Sequence, residues 1–496
     1  MESFLIKALQ FLLSLSILVV LHELGHFAFA RLFKVRVNKF YIFFNPKISL
    51  VRAKKINGKW QVKFFARNVP ANERPKRDED DHIITSSKGS AVMELIPQSE
   101  LADDDWRKYP ENTEFGIGLV PFGGYCSMAG MIDESMDALQ IKQEPQEWEY
   151  RSKSVWKRLP IITGGVLVNF LLAIVIYGCM LFKWGDTFIP SKSVETGMAF
   201  SETVRKIGGY QNGDIILSLD GKDMNIRSGM LGMNTMMQFI NADTAVVLRS
   251  GKEVKLAIVK NFAKEVLASK EVPFSYYSPA VVDSVYAEAL KAGLQKGDSI
   301  IGINGIAVTS YLDLKNLIGK DTNVNKNILV EFYRDANLMS LPVFVGKDKV
   351  IGIFFNTSAT KLEVVNKEFG FFDAQIHGAA RAYNTLSAYI SQFRFVFSKD
   401  GAQQLGGFGT LGNMFPASWD WRAFWSITAL LSIALAFMNI LPIPALDGGH
   451  VMFLLYEMIT GKKPGDKFLE RSQAIGMILL LALMIYVNGN DIVRLF

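Results

Sequence analysis

Cysteine and histidine are scarce in this chain, and the scarcity narrows its chemistry. Two cysteines among 496 residues, Cys126 and Cys179, exclude a disulfide framework and any cysteine-rich zinc or iron–sulfur site. A histidine-based metal site must be drawn from five residues: His22, His26, His82, His377 and His450. Excess charge is small as well. Lys+Arg total 54 and Asp+Glu 48, so the balance is +6, too slight and too dispersed for a nucleic-acid partner. What the chain does hold is apolar residue: 49% of it, with a mean hydropathy of +0.18. Combined with 21% charged residues, that points to membrane spans joined to soluble parts. It argues against an ordinary cytosolic enzyme and against disorder.

Four apolar stretches are candidate spans, at about 4–33, 159–182, 423–441 and 474–487. The first three reach the roughly 20 residues needed to cross a hydrocarbon core; the fourth is shorter. The first opens on Met1-Glu2-Ser3, without a basic leader, and carries His22, Glu23 and His26. It therefore reads as a retained helix and not as a secretory signal. Basic clusters set the orientation. Arg31, Lys34, Arg36 and Lys39 follow the first span; Arg151, Lys153, Lys157 and Arg158 precede the second; Lys462, Lys463, Lys467 and Arg471 separate the third from the fourth. These clusters are expected on the cytoplasmic side, with both termini and residues 183–422 on the other.

The outer segment repeats itself. Gly209-Tyr-Gln-Asn-Gly-Asp-Ile-Ile-Leu-Ser-Leu-Asp-Gly221 aligns with Gly293-Leu-Gln-Lys-Gly-Asp-Ser-Ile-Ile-Gly-Ile-Asn-Gly305 at one offset, 293 − 209 = 84. Each copy reads as a glycine turn, a short apolar strand and an Asp-Gly or Asn-Gly turn. The pair resembles PDZ domains of bacterial membrane and periplasmic proteases, and a generic hairpin repeat is the plainer alternative. PDZ domains capture peptides by adding a strand or binding a C-terminal carboxylate; here the copies could equally be spacers or size filters. Within the cytoplasmic loop, 48–69 reads as a hairpin turning at Asn57-Gly58. The polar stretch 72–113 reads as a solvated insertion, with His82 an exposed bystander. Pro121-Phe-Gly-Gly-Tyr125 and Gly130 mark a turn back to the membrane. Residues 369–397 suit one or two amphipathic helices at the outer surface, where His377 is structural or exposed, and 406–415 suits a membrane-edge loop.

The chemistry centres on His22-Glu23-Leu24-Gly25-His26. On a helix, positions i and i+4 share a face, so two imidazoles can hold one metal ion and the adjacent Glu23 can serve as general base. Two helix histidines satisfied by neighbours are the alternative, weakened by the cost of ionisable groups inside a span. A catalytic zinc needs a third protein ligand and an open position. Asp447, in Leu441-Pro-Ile-Pro-Ala-Leu-Asp-Gly-Gly-His450, is the candidate. Pro442 and Pro444 break the third span, and Gly448 and Gly449 permit close backbone approach. Asp447 could instead cap the following helix. Span lengths bring Asp447 and His22 to a similar depth, toward the cytoplasmic side.

With His22-Glu-x-x-His26 on a first span and Leu446-Asp-Gly448 on a third, the chain resembles the site-2 protease family of intramembrane zinc metalloproteases. Paired PDZ-like repeats between the second and third of four spans are similar to its bacterial regulator of sigma-E branch. The resemblance covers nearly the whole chain. It implies a polytopic α-helical membrane protein with two PDZ-like α/β domains inserted between the second and third spans. The expected boundaries are a first span at 1–34, a cytoplasmic loop at 35–157 and a second span at 158–185. Repeats follow at 186–270 and 271–362, outer helices at 363–421, a third span with its motif at 422–461 and a fourth span at 472–490. The resemblance implies one zinc ion per chain, held by His22, His26 and Asp447, with Glu23 the catalytic base. Asn439 occupies the place of a family Asn that holds substrate backbone, and an interhelical hydrogen bond fits it equally. Gly164-Gly165-Val-Leu-Val-Asn169 matches the family's Gly-Pro-x-x-Asn region without its proline, which makes Asn169 a weaker candidate for substrate or oxyanion binding. His450 could support a neighbouring ligand or only pack helices. The Asn57-Gly58 hairpin matches a membrane-associated β element that the family is thought to pair with substrate.

The expected reaction is hydrolysis of a peptide bond within or near a transmembrane segment. A substrate helix must unwind locally, and an edge strand of the hairpin can catch the opened backbone. Expected partners are membrane lipid and single-span proteins such as anti-sigma factors, trimmed beforehand by another protease, in a bacterial inner membrane. The repeats would face the periplasm and could bind peptides. Two other classes remain. A receptor or scaffold with a structural metal predicts a fourth ligand, for which His450 is available. A metal transporter predicts further carboxylates along the second and fourth spans, which show none.

Overall fold

The computed structural model describes residues 2–69, 73–77, 83–84, 93–131, 144–227, 229–269, 271–355, 362–396 and 405–493. His82 and the acidic run 78–81 lie outside the described residues. The chain forms two compact units, one of residues 1–183 with 370–496 and one of residues 184–369.

The first unit begins with α1 (Glu2–Leu32), apolar almost all round, as a helix surrounded by lipid or protein must be. Next come β1 (Val37–Ile56) and β2 (Lys59–Arg67), which turn at Asn57-Gly58 with both residues at positive φ. The short β3 (Glu73–Pro75) and β4 (Met93–Leu95) pair with each other. Of the stretch expected to be a turn, Pro121–Tyr125 lies within a long strand, β5 (Glu114–Met128), while Gly130 does stand in the turn that follows it, at positive φ. β1 and β5 both bend, so residues 39–42 lie opposite 124–127 and also opposite 114–117, while 49–53 lie opposite 115–118. Glycine makes this closeness possible: a Cβ on Gly118 would stand 2.3 Å from the Phe44 carbonyl oxygen.

Within the polar insertion one described residue docks firmly. Trp106 is 2% exposed. Its indole donates to Gln61 at 2.9 Å and lies between Arg52 and Lys63, and its carbonyl accepts from the Lys54 ammonium at 2.9 Å. One aromatic residue thus docks the end of the insertion on the hairpin. Burial pushes the Lys54 ammonium below its usual pKa.

α2 (Val155–Trp184) is the second membrane-length helix. It crosses α1 at two glycines: a Cβ on Gly25 would stand 2.4 Å from the Gly164 carbonyl oxygen. Small residues at such crossings let helix backbones touch.

The second unit opens with β6 (Asp186–Pro190), followed by β7 (Met198–Phe200), α3 (Glu202–Gly208), β8 (Ile215–Leu219), β9 (Lys222–Asp223), β10 (Asn225–Ile226), α4 (Gly229–Ile240), β11 (Thr244–Arg249), β12 (Lys252–Ala257), α5 (Phe262–Ser269) and β13 (Phe274–Tyr276). A second series follows: β14 (Val282–Val285), α6 (Ala287–Ala292), β15 (Ser299–Ile303), β16 (Ile306–Ala307), α7 (Tyr311–Ile318), β17 (Lys326–Arg334), β18 (Asn337–Val345) and β19 (Ile353–Phe355). The sheets match, with order β12-β11-β8-β9 in one copy and β18-β17-β15-β16 in the other. Two-stranded pairs β7–β13 and β14–β19 match as well.

The repeated Gly-Asp motif does the same work twice. Asp214 receives Arg249 at 2.8 and 2.7 Å and the Gln211 amide at 2.8 Å. Asp298 receives Arg334 at 2.7 Å twice and the Gln295 amide at 2.8 Å. Both aspartates are essentially buried, so each needs this bidentate partner. The copies differ in core. The first stacks Phe200, Tyr210, Phe239, Phe262 and Phe274, helped by the additional α5; the second packs aliphatic residues around Phe332. Finally β20 (Val365–Lys367) pairs with β6, whose other edge pairs with β10.

The first unit resumes with α8 (Phe371–Val396), a single long helix. Its Gly378 abuts Gly178 of α2, and its Tyr389 ring meets Phe437. It therefore packs on the spans, where a surface position was expected for 369–397. The supposed loop at 406–415 contains α9 (Phe408–Asn413), whose first turn is capped by Asp491. α10 (Trp421–Ile440) is the third membrane-length helix and stops before Pro442 and Pro444. α11 (Asp447–Thr460) follows. α12 (Asp466–Val493) extends the fourth apolar stretch to full membrane length because helical polar turns continue it at both ends.

Candidate metal centre and active site

His22 and His26 are each 7% exposed, in the C-terminal half of α1. Their Nε2 atoms approach to 3.2 Å, with the rings nearly perpendicular. Asp447 arrives from the far end of the chain. After α10 breaks, the backbone doubles back so tightly that a Cβ on Gly448 would stand 2.1 Å from the Leu441 carbonyl oxygen. That close approach is what Gly448 and Gly449 permit. The cap position of α11 is Leu446, so Asp447 is the first helical residue and not the cap. Its Oδ2 lies 3.2 Å from His22 Nε2 and 3.4 Å from His26 Nε2, yet it is buried without a hydrogen bond.

These three edges test the site for a metal. A tetrahedral ion with bonds of about 2.0–2.1 Å separates its ligand atoms by about 3.3 Å. The edges here are 3.2, 3.2 and 3.4 Å, so the donors stand at zinc spacing, and the unpartnered carboxylate oxygen has a reason to be there.

The outer nitrogens are held by α2. His26 Nδ1 lies 2.9 Å from the Ile161 carbonyl oxygen, which can only accept, so the proton sits on Nδ1 and the Nε2 lone pair faces Asp447. His22 Nδ1 lies 3.1 Å from the Asn169 side-chain amide. Asn169 is fully buried, its own carbonyl accepts from Ser432 at 2.7 Å, and one amide atom has no partner. Presented oxygen-first, the amide accepts the Nδ1 proton and frees the second Nε2 as well. Asn439 brings its amide to 3.2 Å from His22 Nε2.

Glu23 is half-buried beside the two histidines. Strand β5 runs against it: the Cys126 amide donates to its carboxylate, and a Cβ on Gly124 would stand 3.5 Å from its Cγ. Composition gave no hint of this contact; the paired glycines Gly123-Gly124 were its one visible trace. Ile161 was equally hidden. His450 lies outside the cluster, 3.0 Å from Gln473 and against the Phe453 ring. His377 sits on α8, away from the metal group. Among the described residues the one group of histidine, cysteine, aspartate and glutamate that could hold a metal ion is therefore His22, His26 and Asp447.

The model of peptidase family M50 matches residues 10–80 and 104–483. The chain belongs to peptidase family M50. Relatives align end to end. The regulator of sigma-E protease RseP of Escherichia coli K12 is 25% identical over 527 residues, and the protease RseP of Yersinia pestis is 24% identical over 532, each covering all of both chains. A provisionally named zinc metalloprotease of Vibrio cholerae is 24% identical over 523 residues, again over the full length of both. As an M50 peptidase of the RseP-like branch, the chain is an intramembrane metalloprotease and its cofactor is zinc. Four membrane-length helices and an inserted sheet-rich region agree with that membership.

Proposed function

We propose that His22, His26 and Asp447 hold the zinc ion and that Glu23 is the general base for cleavage of peptide bonds within or beside transmembrane segments. The convergence of three ligand atoms at tetrahedral spacing carries this reading. Zinc bound there supplies Lewis-acid polarisation of the scissile carbonyl and lowers the pKa of water. Glu23 takes a proton from the attacking water onto its carboxylate and returns it to the leaving amide nitrogen. The Cys126 amide keeps that carboxylate aimed. Asn439, beside His22 Nε2, is placed to donate to the developing oxyanion or the substrate backbone. Asn169 orients His22.

The substrate class follows from the same site. A metal centre among membrane-length helices meets polypeptide that must unwind before its amides can react. β2 lies at the edge of its sheet, so it can receive an opened backbone as an added strand. The inserted repeats, 186–270 and 271–362, are PDZ-like; matched sheets and matched Gly-Asp/Arg pairs support that identity. Basic residues around Arg31, Arg158 and Lys463 support a cytoplasmic position for the metal end and a periplasmic one for the repeats, in a bacterial inner membrane. The names of the RseP relatives make single-span anti-sigma factors the first substrates to try, after trimming by another protease.

The test is cleavage of a panel of single-span membrane proteins in liposomes by wild type and Glu23→Gln, with zinc measured on both. Wild-type-only cleavage at equal zinc is expected. Turnover retained in Glu23→Gln would sink the mechanism.

A further inference from the structure

A cavity of about 130 Å³ lies where the start of α2, the length of α11 and the start of α12 come together beside the Gly130 turn. It is separate from the metal cluster, and no step of the reaction uses it. The volume accommodates several waters, and hence one tetrahedral oxyanion. Its wall carries three cationic side chains, Arg151, Arg158 and Lys463, and one carboxylate, Glu457. Metal cations are disfavoured by that balance.

Arg158 is the informative residue. Its side chain is 8% exposed, and its Nη2 donates to Glu457 at 2.5 Å. Its Nε is buried with no hydrogen-bond partner. A guanidinium offers five donors, and a buried one left short of acceptors is costly. Lys463 donates to the Arg151 backbone carbonyl at 2.9 Å, which brings its ammonium to the Arg151 segment, while the Arg151 guanidinium donates to Glu149 through Nε. Apolar Met131, Phe453 and Leu469 complete the lining.

Position supplies the second argument. Arg158 stands one turn into a membrane-length helix, and Lys463 stands just before another. The ends of spans lie at the depth of phosphate headgroups, and basic pockets between spans suit them. We propose that this cavity binds a phosphate-class anion through Arg158, Lys463 and Arg151. A phospholipid headgroup is the source its depth favours. Such an anion ties α2 to the end of α11, the helix that begins at Asp447, and so braces the segment carrying the third ligand.

The experiment reads binding and not cleavage, so its outcome is independent of the peptidase mechanism. Full-length protein in a neutral maltoside detergent is titrated at constant ionic strength with short-chain phosphatidylglycerol, short-chain phosphatidylcholine or inorganic phosphate, and the thermal midpoint is followed. Phosphatidylglycerol should raise the midpoint at concentrations about tenfold or more below those phosphatidylcholine needs. Inorganic phosphate matching phosphatidylglycerol identifies a soluble anion; a response to phosphatidylglycerol alone identifies the headgroup. Lys463→Gln should weaken the effect about tenfold. Arg158→Leu combined with Glu457→Leu, which removes the ion pair without orphaning a charge, should abolish it. Should that double variant fail to fold, Lys463→Gln and the wild-type lipid comparison decide. Equal midpoints with both lipids and no response to phosphate overturn the proposal, as does an undiminished shift in Lys463→Gln.

Discussion

Gly165 on α2 faces His26 on α1 so closely that a Cβ on the glycine would stand 2.6 Å from His26 Nε2, and as near to His22 Cε1. The two helices are therefore spaced by the metal site itself. A methyl group there must displace an imidazole, since the opposing face of the glycine is helix backbone. Gly165→Ala is expected to lower zinc affinity roughly 10–100-fold, the range seen when a ligand's support is disturbed. Chelator competition on the purified protein checks it; unchanged affinity would mean that α2 moves aside.

Asn169 governs the other face of His22. Removing its amide in Asn169→Ala leaves Nδ1 buried without a partner, so zinc affinity should again fall roughly 10–100-fold. Asn169→Asp keeps an oxygen acceptor and should recover most of the loss. At saturating zinc, kcat should fall in Asn169→Ala while KM holds, because the residue orients a ligand and does not grip substrate. A raised KM with normal zinc affinity would restore the substrate-binding role.

Metal removal separates the ligands from the base. Dialysis against a strong chelator should abolish cleavage, and added zinc should restore it. His22→Ala and Asp447→Ala should lose zinc outright, each leaving two of the three donors. Normal zinc content in Asp447→Ala would remove Asp447 from the ligand set.

Trp106 is 2% exposed between two cationic side chains, and it joins the insertion to the hairpin. Trp106→Ala should cost about 3–5 kcal/mol of local stability, as loss of a buried large aromatic does. The readout is limited trypsin digestion, with faster cutting expected at Lys55 and Lys59 around the Asn57-Gly58 turn. An unchanged digestion pattern would show that the docking contributes nothing to the hairpin.

Asp298 is fully buried against Arg334, whose side chain is 22% exposed. Asp298→Asn should destabilise the repeat unit by about 1–3 kcal/mol, the cost of an imperfectly replaced buried partner, with the lower end favoured by solvent around the arginine. Asp214→Asn should do the same in the first copy. Thermal unfolding of the full chain, followed at two probes in the repeats, measures both.

Much of the site was legible beforehand. His22, Glu23 and His26 announce themselves because i and i+4 share a helix face, and Asp447 because prolines and glycines frame it. The double Gly-Asp pattern at one offset disclosed the repeat, and the structure adds that each aspartate meets an arginine. The reading of Pro121–Tyr125 as a turn failed for a physical reason, while Gly130 does turn. Glycines that looked like turn residues are there so that β5 can press against Tyr41, Phe44 and Glu23, a need that no local pattern records. The docking of Trp106 was hidden in the same way, since nothing in its charged surroundings records a partner on the hairpin.

What the sequence by itself determined is local: which segments are long and apolar enough to span, which two imidazoles share a face, where α10 must break and where a Gly-Asp pattern repeats. Each follows from a period or a backbone restriction acting within a few residues. Only the tertiary structure decided that Asp447 completes a triangle with edges of 3.2, 3.2 and 3.4 Å, that Asn169 and Ile161 hold the outer nitrogens, and that β5 touches the base. Those contacts depend on where helices cross, and the crossing is set by Gly25 against Gly164, packing between residues far apart in the chain.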